Sequence, residues 1–214
     1  MPSTDNPALS PVHEPAAFWD AKYAGADYFY GTEANAWLRA QAAQLQPGLR
    51  ALAIADGEGR NSVWLAERGL IVTAVDVSPR ALAKSAALAR TRGVAVELVE
   101  ADLRAWRWPE ERFDVAVAIF AHFPPELRRA IHGRLLRALR LGGTVILEAY
   151  SPYQRIYQTG GPADLDLLYT AYRLEQDFAG AEILHLEETI TELAEGVGHR
   201  GTSAVTRLLA RRRA

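Results

Sequence analysis

Apolar and polar positions follow two alternating periods along this chain. From residue 49 onward, short apolar runs of strand length are each followed by a turn and then by a stretch whose apolar residues lie three or four positions apart. Fully apolar runs are typical of strands buried on both faces, and the longer period is that of helices with one buried face. The alternation predicts a doubly wound α/β fold, in which crossover helices join parallel strands.

The predicted parallel strands cover residues 50–55, 71–75, 94–99, 113–120 and 144–149. Gly69 and Gly93 suit helix C-caps, and Ser78 followed by Pro79 suits a helix start. Beyond the fifth strand we expect a loop or lid at 153–162, a helix at 164–178, and an antiparallel hairpin of strands 181–192 and 203–210.

The region before the first strand has a different character. Aromatic residues and alanines stand at roughly helical spacing over 18–46, interrupted by a turn at 30–32. We therefore expect an N-terminal extension and helical cap at 1–46 and the main domain at 47–214. The chain of 214 residues suffices for one sizeable core, so both parts are expected to form one globular unit.

Composition narrows the possible partners. The formal net charge is −2, without a basic field to attract nucleic acid, and the absence of cysteine excludes disulfides and thiolate zinc sites. The start of the chain has no apolar signal region, and no apolar run approaches about 18 residues. We expect a cytoplasmic monomer or homodimer that does not bind a membrane. We also expect no metal site, because the five histidines lack the paired spacing of metal ligands.

The most informative stretch is the turn ADGEGRN at residues 55–61, between the first strand and its helix. Gly57 and Gly59 let a ligand approach the backbone, and the helix N-terminus attracts negative charge. Tight packing alone is the alternative explanation of such a turn.

Two acids follow the next two strands. Asp76 ends the second strand about 20 residues after the glycine turn. At this spacing a carboxylate accepts hydrogen bonds from both hydroxyls of a ribose. Asp102 follows the third strand, where its carboxylate is placed to accept an adenine amino group. The alternatives are that Asp76 caps a helix and that Asp102 caps an exposed turn.

Several motifs, taken in order, resemble those of the class I S-adenosylmethionine-dependent methyltransferases, and in particular small members similar to tellurite-resistance and thiopurine methyltransferases. They are FWD at 18–20, YGTEAN at 30–35, DGEGRN at 56–61, VDVS at 75–78, ADL at 101–103 and FD at 113–114. The resemblance spans nearly the whole chain. It implies a seven-stranded sheet of order 3-2-1-4-5-7-6 with strand 7 antiparallel, S-adenosylmethionine as cofactor with S-adenosylhomocysteine as product, and a small-molecule methyl acceptor.

The chain departs from the family pattern at Ala53 and Ala55, where the family usually has an acid and a glycine. Asp56 is expected to take over the acidic role near the ligand's ammonium or sulfonium, or else to cap the following helix. Arg60 is expected to bind the methionine carboxylate, with a solvated surface arginine as the alternative. The complete set of expected cofactor-binding residues is Tyr30, Asp56, Gly57, Gly59, Arg60, Asp76, Val77, Asp102, Leu103 and Phe120.

Methyl transfer from a sulfonium depends mainly on positioning in a water-poor pocket. His122, in the loop after the fourth strand, is the candidate catalytic base, with a structural histidine as the alternative. Glu148 is expected to touch the acceptor or line the pocket, and the turn at 159–162 to close over it. An aromatic wall is expected from Tyr23, Tyr30, Tyr150, Tyr153 and Tyr157.

Two other functions remain open. A nucleotide-dependent oxidoreductase shares the glycine turn and the acid, although Ser62 replaces its third glycine. A catalytically silent S-adenosylmethionine-binding regulator or partner module is suggested by Ala53 and Ala55. Turnover with an acceptor distinguishes an enzyme from such a module.

Overall fold

A seven-stranded mixed sheet forms the centre of the computed structural model, which describes residues 11–213. Its strands are β1 (Arg50–Ile54), β2 (Ile71–Asp76), β3 (Glu97–Glu100), β4 (Phe113–Ile119), β5 (Leu139–Tyr150), β6 (Ala181–Glu195) and β7 (His199–Arg212). The order is β3-β2-β1-β4-β5-β7-β6; β1 to β5 pair in parallel, whereas β7 is antiparallel to β5 and to β6. The predicted fold class and strand order are confirmed.

Helices cover the sheet and precede it. Their bounds are α1 (Pro15–Lys22), α2 (Ala36–Ala40), α3 (Arg60–Glu67), α4 (Pro79–Thr91), α5 (Pro125–Ala138), α6 (Gln154–Tyr157) and α7 (Ala171–Asp177), with short 3₁₀ turns at Ala42–Gln44 and Leu165–Leu167. None of the helices within residues 11–213 has both the length and the apolar character needed to cross a membrane. The first ten residues of the predicted N-terminal extension lie outside the described residues.

Both faces of the central strands β1, β2, β4 and β5 are buried, which explains the continuous apolar runs in the sequence. Successive strand residues point to opposite faces. Leu52 and Ile54 therefore pack in one core with Ile131 of α5, whereas Ala51 packs in a second core with Leu65 of α3. Complete burial of such a Leu or Ile side chain stabilises the fold by about 1.5–3 kcal/mol.

Local cap signals set where two helices begin. The Ser78 hydroxyl accepts a hydrogen bond from the amide of Ala81 at 3.1 Å, and Pro79 occupies the first position of α4. The Asn35 side chain likewise accepts the amide of Leu38 at 3.0 Å. Each cap satisfies a backbone donor that the first turn leaves without an internal partner.

Several predicted element boundaries are wrong. The third strand begins at Glu97 and not at residue 94, because the amide of Val94 donates a hydrogen bond to the carbonyl of Ala89 near the end of α4. The helix predicted at 164–178 is divided into a 3₁₀ turn and the helix α7. The break occurs because the amide of Tyr169 donates a hydrogen bond to the carbonyl of Tyr150, at 2.9 Å, which holds Tyr169 in an extended segment. The fifth strand starts at Leu139, five residues earlier than predicted, and the hairpin strands extend to residues 195 and 199.

A buried charge cluster joins α5 to α7. Arg128 donates through Nε to Asp177 Oδ2 at 2.6 Å, and His132 Nδ1 lies 2.7 Å from the same oxygen. Burial raises the pKa of Asp177, but the hydrogen bonds from His132 and Arg128 outweigh it and lower the pKa overall. The cluster therefore stabilises the fold above the ordinary pKa of an aspartate and loses this contribution as the pH falls through the lowered value.

Replacing Asp177 by asparagine is expected to lower the free energy of unfolding by about 3 kcal/mol at pH 7, because Arg128 keeps its buried charge and loses its counterion. Urea unfolding of both proteins measures this difference. The matched control is Asp166→Asn, whose carboxylate is exposed and lies 3.6 Å from Arg173, and it should change the value by less than about 0.5 kcal/mol. Equal effects of the two substitutions would contradict a stabilising role of the cluster.

Candidate active site

A cleft opens at the carboxyl ends of the parallel strands, where α/β sheets bind ligands. It contains about 1110 Å³ of empty space, a volume that includes its open mouth. The N-terminal segment forms one wall through Trp19 and Tyr23. The residues predicted from the sequence that line the cleft are Tyr30, Asp56, Gly57, Arg60, Asp76, Val77, Asp102, Leu103, Phe120 and His122.

The turn after β1 is built from left-handed backbone. Ala55, Gly57 and Gly59 have φ values of 47°, 62° and 92°. The left-handed conformation favours glycine at position 57, where an added Cβ would also displace the Tyr23 hydroxyl, 2.8 Å away. Ala55 adopts a left-handed conformation that is uncommon for a residue with a Cβ, at the place where the family usually has glycine.

Gly59 does not line the cleft. An added Cβ at this position would collide with the side chain and Cα of Ser85 in α4. The residue thus permits close packing of α3 against α4, and its predicted direct contact with a cofactor has no support in the geometry of the cleft.

Asp76 connects the turn after β1 to the turn after β2. Its Oδ2 accepts a hydrogen bond from the amide of Gly57 at 2.8 Å, and its Oδ1 accepts one from the amide of Ser78 at 2.9 Å. Burial raises the pKa of this carboxyl, and the backbone hydrogen bonds oppose the rise. The helix cap itself is Ser78, so the capping alternative does not account for the cleft-facing position of Asp76.

Asp56 lies in the cleft with an unsatisfied oxygen. Its Oδ2 is fully shielded and has no hydrogen-bond partner within the described chain. Burial raises the pKa of Asp56 to about 7, although a hydrogen bond from Ser62 lowers it. A buried carboxylate oxygen without a partner is costly, and a cationic ligand group would compensate for it.

Asp102 is engaged by a neighbour on its own loop. The Arg104 guanidinium donates through Nε to both carboxylate oxygens, at 3.0 and 2.8 Å, and its backbone amide donates to Oδ1. These hydrogen bonds lower the pKa of Asp102. Both side chains line the cleft, so a ligand would meet the pair and not an isolated carboxylate.

Arg60 is buried, so the alternative of a solvated surface arginine is wrong. The side chain is 7% exposed, and its Nη1 donates to Glu195 Oε2 at 2.5 Å. Glu195 also accepts from Asn35 Nδ2 at 3.0 Å and from the amide of Ala36. Sequence reasoning missed Glu195 because it lies 135 residues from Arg60 and belongs to no motif.

His122 has both ring nitrogens occupied. Nδ1 lies 2.6 Å from the carbonyl of Leu167, and Nε2 accepts the amide of Tyr150 at 3.3 Å. Burial lowers its pKa to about 4. This geometry favours the structural alternative over the predicted catalytic base.

Other predicted pocket residues lie elsewhere. Glu148 is buried beside the cleft and not in it, because Asn35 Nδ2 at 2.5 Å and Arg207 Nε at 2.7 Å engage its carboxylate. Of the predicted aromatic wall, Tyr23 and Tyr30 line the cleft, whereas Tyr153 is exposed. The turn at 159–162 packs on Tyr150 and β7 and does not reach the cleft. Among the described residues no cluster of three metal-ligating side chains occurs.

The glycine turn also holds the N-terminal cap. Glu58 accepts the amide of Phe29 at 2.8 Å and the Lys84 ammonium at 2.7 Å. On the other side of the cap, the amides of Val197 and Gly198 in the hairpin both donate to the carbonyl of Phe29. The cap is thus fixed from two directions over the cleft.

The family model described as "Methyltransferase domain" matches residues 51–143, the part of the chain that carries the glycine turn and both acids. Residues 51–143 are therefore similar to a methyltransferase domain. The resemblance inferred from the motifs is thereby confirmed for this family of domains. The matched residues cover β1 to β4 and α5, while the cap and the hairpin lie outside the match.

Part of the sequence is also shared with curated relatives. An uncharacterized protein of Mycobacterium tuberculosis is 34% identical over 105 residues, which are 49% of this chain and 38% of the relative. The chain therefore matches about two fifths of the length of that curated relative.

Three solved structures share the fold of this chain over more than nine tenths of its length. A structure concerned with the conversion of a disulfide bond into a thioacetal group during echinomycin biosynthesis is 24% identical, with a TM-score of 0.75 over 92% of this chain and 91% of the other. TehB from Haemophilus influenzae is 19% identical, with a TM-score of 0.68 over 94% and 68%. Magnesium protoporphyrin IX methyltransferase from Synechocystis, solved with bound S-adenosylmethionine, is 18% identical, with a TM-score of 0.59 over 92% and 79%.

The contact between hairpin and cap yields a test. A Cβ at Gly196 would overlap backbone atoms of residues 29–31, and this residue has a φ of 69°. Gly196→Ala should lower the free energy of unfolding by about 1–3 kcal/mol and speed hydrogen exchange at the amides of Val197 and Gly198.

Gly180→Ala is the matched control, because nothing lies within 4 Å of its added Cβ. It should leave both the stability and the exchange rates at 197 and 198 near the values of the unmodified chain. Unchanged exchange in Gly196→Ala would show that the hairpin does not depend on the cap.

Proposed function

We propose that this chain binds S-adenosylmethionine in the cleft and transfers its methyl group to a small-molecule acceptor. The observation that carries the proposal is the position of Asp76, buried at the end of β2, with its carboxylate joining the glycine turn while facing the cleft of a methyltransferase domain. A carboxylate at this place suits a ribose diol.

Asp56 provides the second point of fit. Its Oδ2 is buried and unsatisfied, and the residue stands in the glycine turn that lines the cleft. A primary ammonium group would supply both a hydrogen bond and an opposite charge to this oxygen. The structural neighbour from Synechocystis binds S-adenosylmethionine, which supports the same ligand here.

S-adenosylmethionine, when bound, supplies a methyl group activated by a positively charged sulfur. The residues of this chain have to orient the two reactants and exclude water. Trp19 and Tyr23 of the cap and Phe120 at the end of β4 surround the cleft with aromatic surface. The shape of the cleft beneath the cap favours a small acceptor over a large one.

A catalytically silent binding module is the competing function. The left-handed φ of 47° at Ala55 favours it, because a side chain stands where the family usually has glycine. Asp56 and Asp76 serve binding in either case. Formation of S-adenosylhomocysteine in the presence of an acceptor distinguishes the two.

Asp76→Asn should weaken binding of S-adenosylhomocysteine by about tenfold to a hundredfold, because hydrogen bonds to a charged acceptor are each worth about 1.5–3 kcal/mol. Calorimetric titration measures the affinity. Asp166→Asn removes the same charge outside the cleft and should leave the affinity unchanged. Equal affinity of Asp76→Asn and the unmodified chain would refute the ribose assignment.

Binding should also depend on pH through Asp56. Its pKa of about 7 means that part of the population is protonated near neutrality, and a ligand ammonium favours the ionised form. Affinity for S-adenosylhomocysteine should therefore rise from pH 6 to about 7.5, a range in which an α-amino group stays largely protonated.

Asp56→Asn should remove this rise, because asparagine does not ionise. Calorimetric titrations at several pH values compare the two proteins. A rise of the same size in Asp56→Asn would assign the pH dependence to another group.

A further inference from the structure

His199 lies at the end of the cleft opposite the two acids. It is the first residue of β7, directly after the tight connection at 196–198, and only 5% of the residue is exposed. Asp76 and Asp102 follow β2 and β3 on one side of β1, whereas the β6–β7 hairpin belongs to the other side, beyond β4 and β5. The cleft therefore runs from an end lined by Asp76 and Asp102 to an end lined by His199 and Phe120.

The histidine is held in place by the cap. Gly198 packs so closely against the rings of Phe29 and Tyr30 that a Cβ would collide with both. The His199 ring itself lies with its centroid 4.2 Å from that of Tyr30 and 4.2 Å from that of Phe120. Its position is set by packing against these two rings and by the tight contact of Gly198 with the cap, as a positioned reactive group requires.

A carboxylate stands behind the ring. Glu195 Oε2 lies 3.8 Å from His199 Nδ1, a ring nitrogen that is buried and has no hydrogen-bond partner within the described chain. Glu195 is itself fixed by Arg60. A carboxylate behind one ring nitrogen favours protonation of the ring when the other nitrogen takes up a proton.

Other charged and titratable groups face His199 from neighbouring elements. Lys22 at the end of α1 and Arg60 of α3 lower its pKa, and Glu195 of β6 raises it. His122, in the loop after β4, also interacts with it. Burial is the largest effect and lowers the pKa of His199 to about 4, so the ring is neutral at pH 7.

We propose that His199, supported by Glu195, accepts the proton of the methyl acceptor, and that this acceptor is an aromatic hydroxyl compound. The inference rests on the proposed function. The adjacent Tyr30 and Phe120 rings suit a planar aromatic molecule, and the neutral imidazole suits a hydroxyl that is not ionised at pH 7. His122 does not compete for this role, since both of its nitrogens are engaged.

The step balances. The acceptor oxygen forms a bond to the methyl carbon while the bond from that carbon to the positively charged sulfur breaks, and the electron pair of the broken bond stays on sulfur. The hydroxyl proton passes to His199, which becomes the imidazolium. One positive charge disappears at sulfur as another appears on the ring beside Glu195, so the site contains the same net charge before and after transfer.

The first test is spectroscopic and needs no acceptor. In chain labelled with ¹⁵N-histidine, the ring resonances of His199 at pH 7 should differ between the complexes with S-adenosylmethionine and with S-adenosylhomocysteine, because only the former has a charged sulfur. The exposed His13 and the buried His132 serve as internal references and should not differ. Identical His199 resonances in the two complexes would overturn the inference, whereas failure of both ligands to bind would refute the proposed function.

The second test uses two acceptors that differ in acidity. Phenol is protonated at pH 8, while 4-nitrophenol is largely ionised and needs no base. His199→Gln should lower kcat for phenol by about 10²–10⁴-fold, the usual contribution of a general base, and should largely preserve methylation of 4-nitrophenol and affinity for S-adenosylhomocysteine.

His13→Gln is the matched control, because the residue is exposed and outside the cleft. A merely structural role of His199 would lower both rates together. Equal losses for the two phenols, or failure of the unmodified chain to methylate either of them, would contradict the inference.

Discussion

The buried carboxylate of Glu195 is the interaction on which the arrangement of the cleft depends. It binds Arg60 of α3 and Asn35 at the start of α2, and it stands next to His199 on its own hairpin. Three separate parts of the chain, the cap, the parallel domain and the hairpin, therefore meet at one negative charge. Because a buried charge is costly when unpaired, these partners have to remain together for the fold to be stable.

This constraint explains how a short chain builds an enclosed site. The parallel strands deliver the glycine turn, Asp56 and Asp76 to one edge, as their crossover connections require. The cap is fixed above that edge by Glu58 on one side and by the hairpin tip on the other. Ligand-facing acids thus come from the residues matched by the family model. At the other end of the cleft, Phe120 lies within that match, whereas His199 of the hairpin lies outside it.

The parallel part of the fold could be predicted from the sequence because its signals are local. The spacing of apolar residues and the turn residues predict the bounds of β1, β2 and β4 within a residue or two. The helix N-cap at Ser78 is likewise recognisable from the local sequence. The boundaries that failed depend on tertiary contacts, such as the bond from the amide of Tyr169 to Tyr150. No pattern within the segment 164–178 reveals that contact.

The candidate site divides in the same way. Asp56, Gly57 and Asp76 were predicted to lie together from their place after successive strands, and they do line one cleft. The surroundings of His122 were not predictable, because the carbonyl that engages it belongs to residue 167. His199 carried no signal in the sequence either, since only the antiparallel pairing of β6 with β7 and the contact with the cap bring it to the cleft.

The central claim is that the cleft takes an adenosine-bearing sulfur ligand and not a dinucleotide. Parallel calorimetric titrations of the chain with S-adenosylmethionine, S-adenosylhomocysteine and NAD test it most directly. The account predicts saturable one-to-one binding of both sulfur ligands and none of NAD. Binding of NAD alone would contradict the account and favour the oxidoreductase.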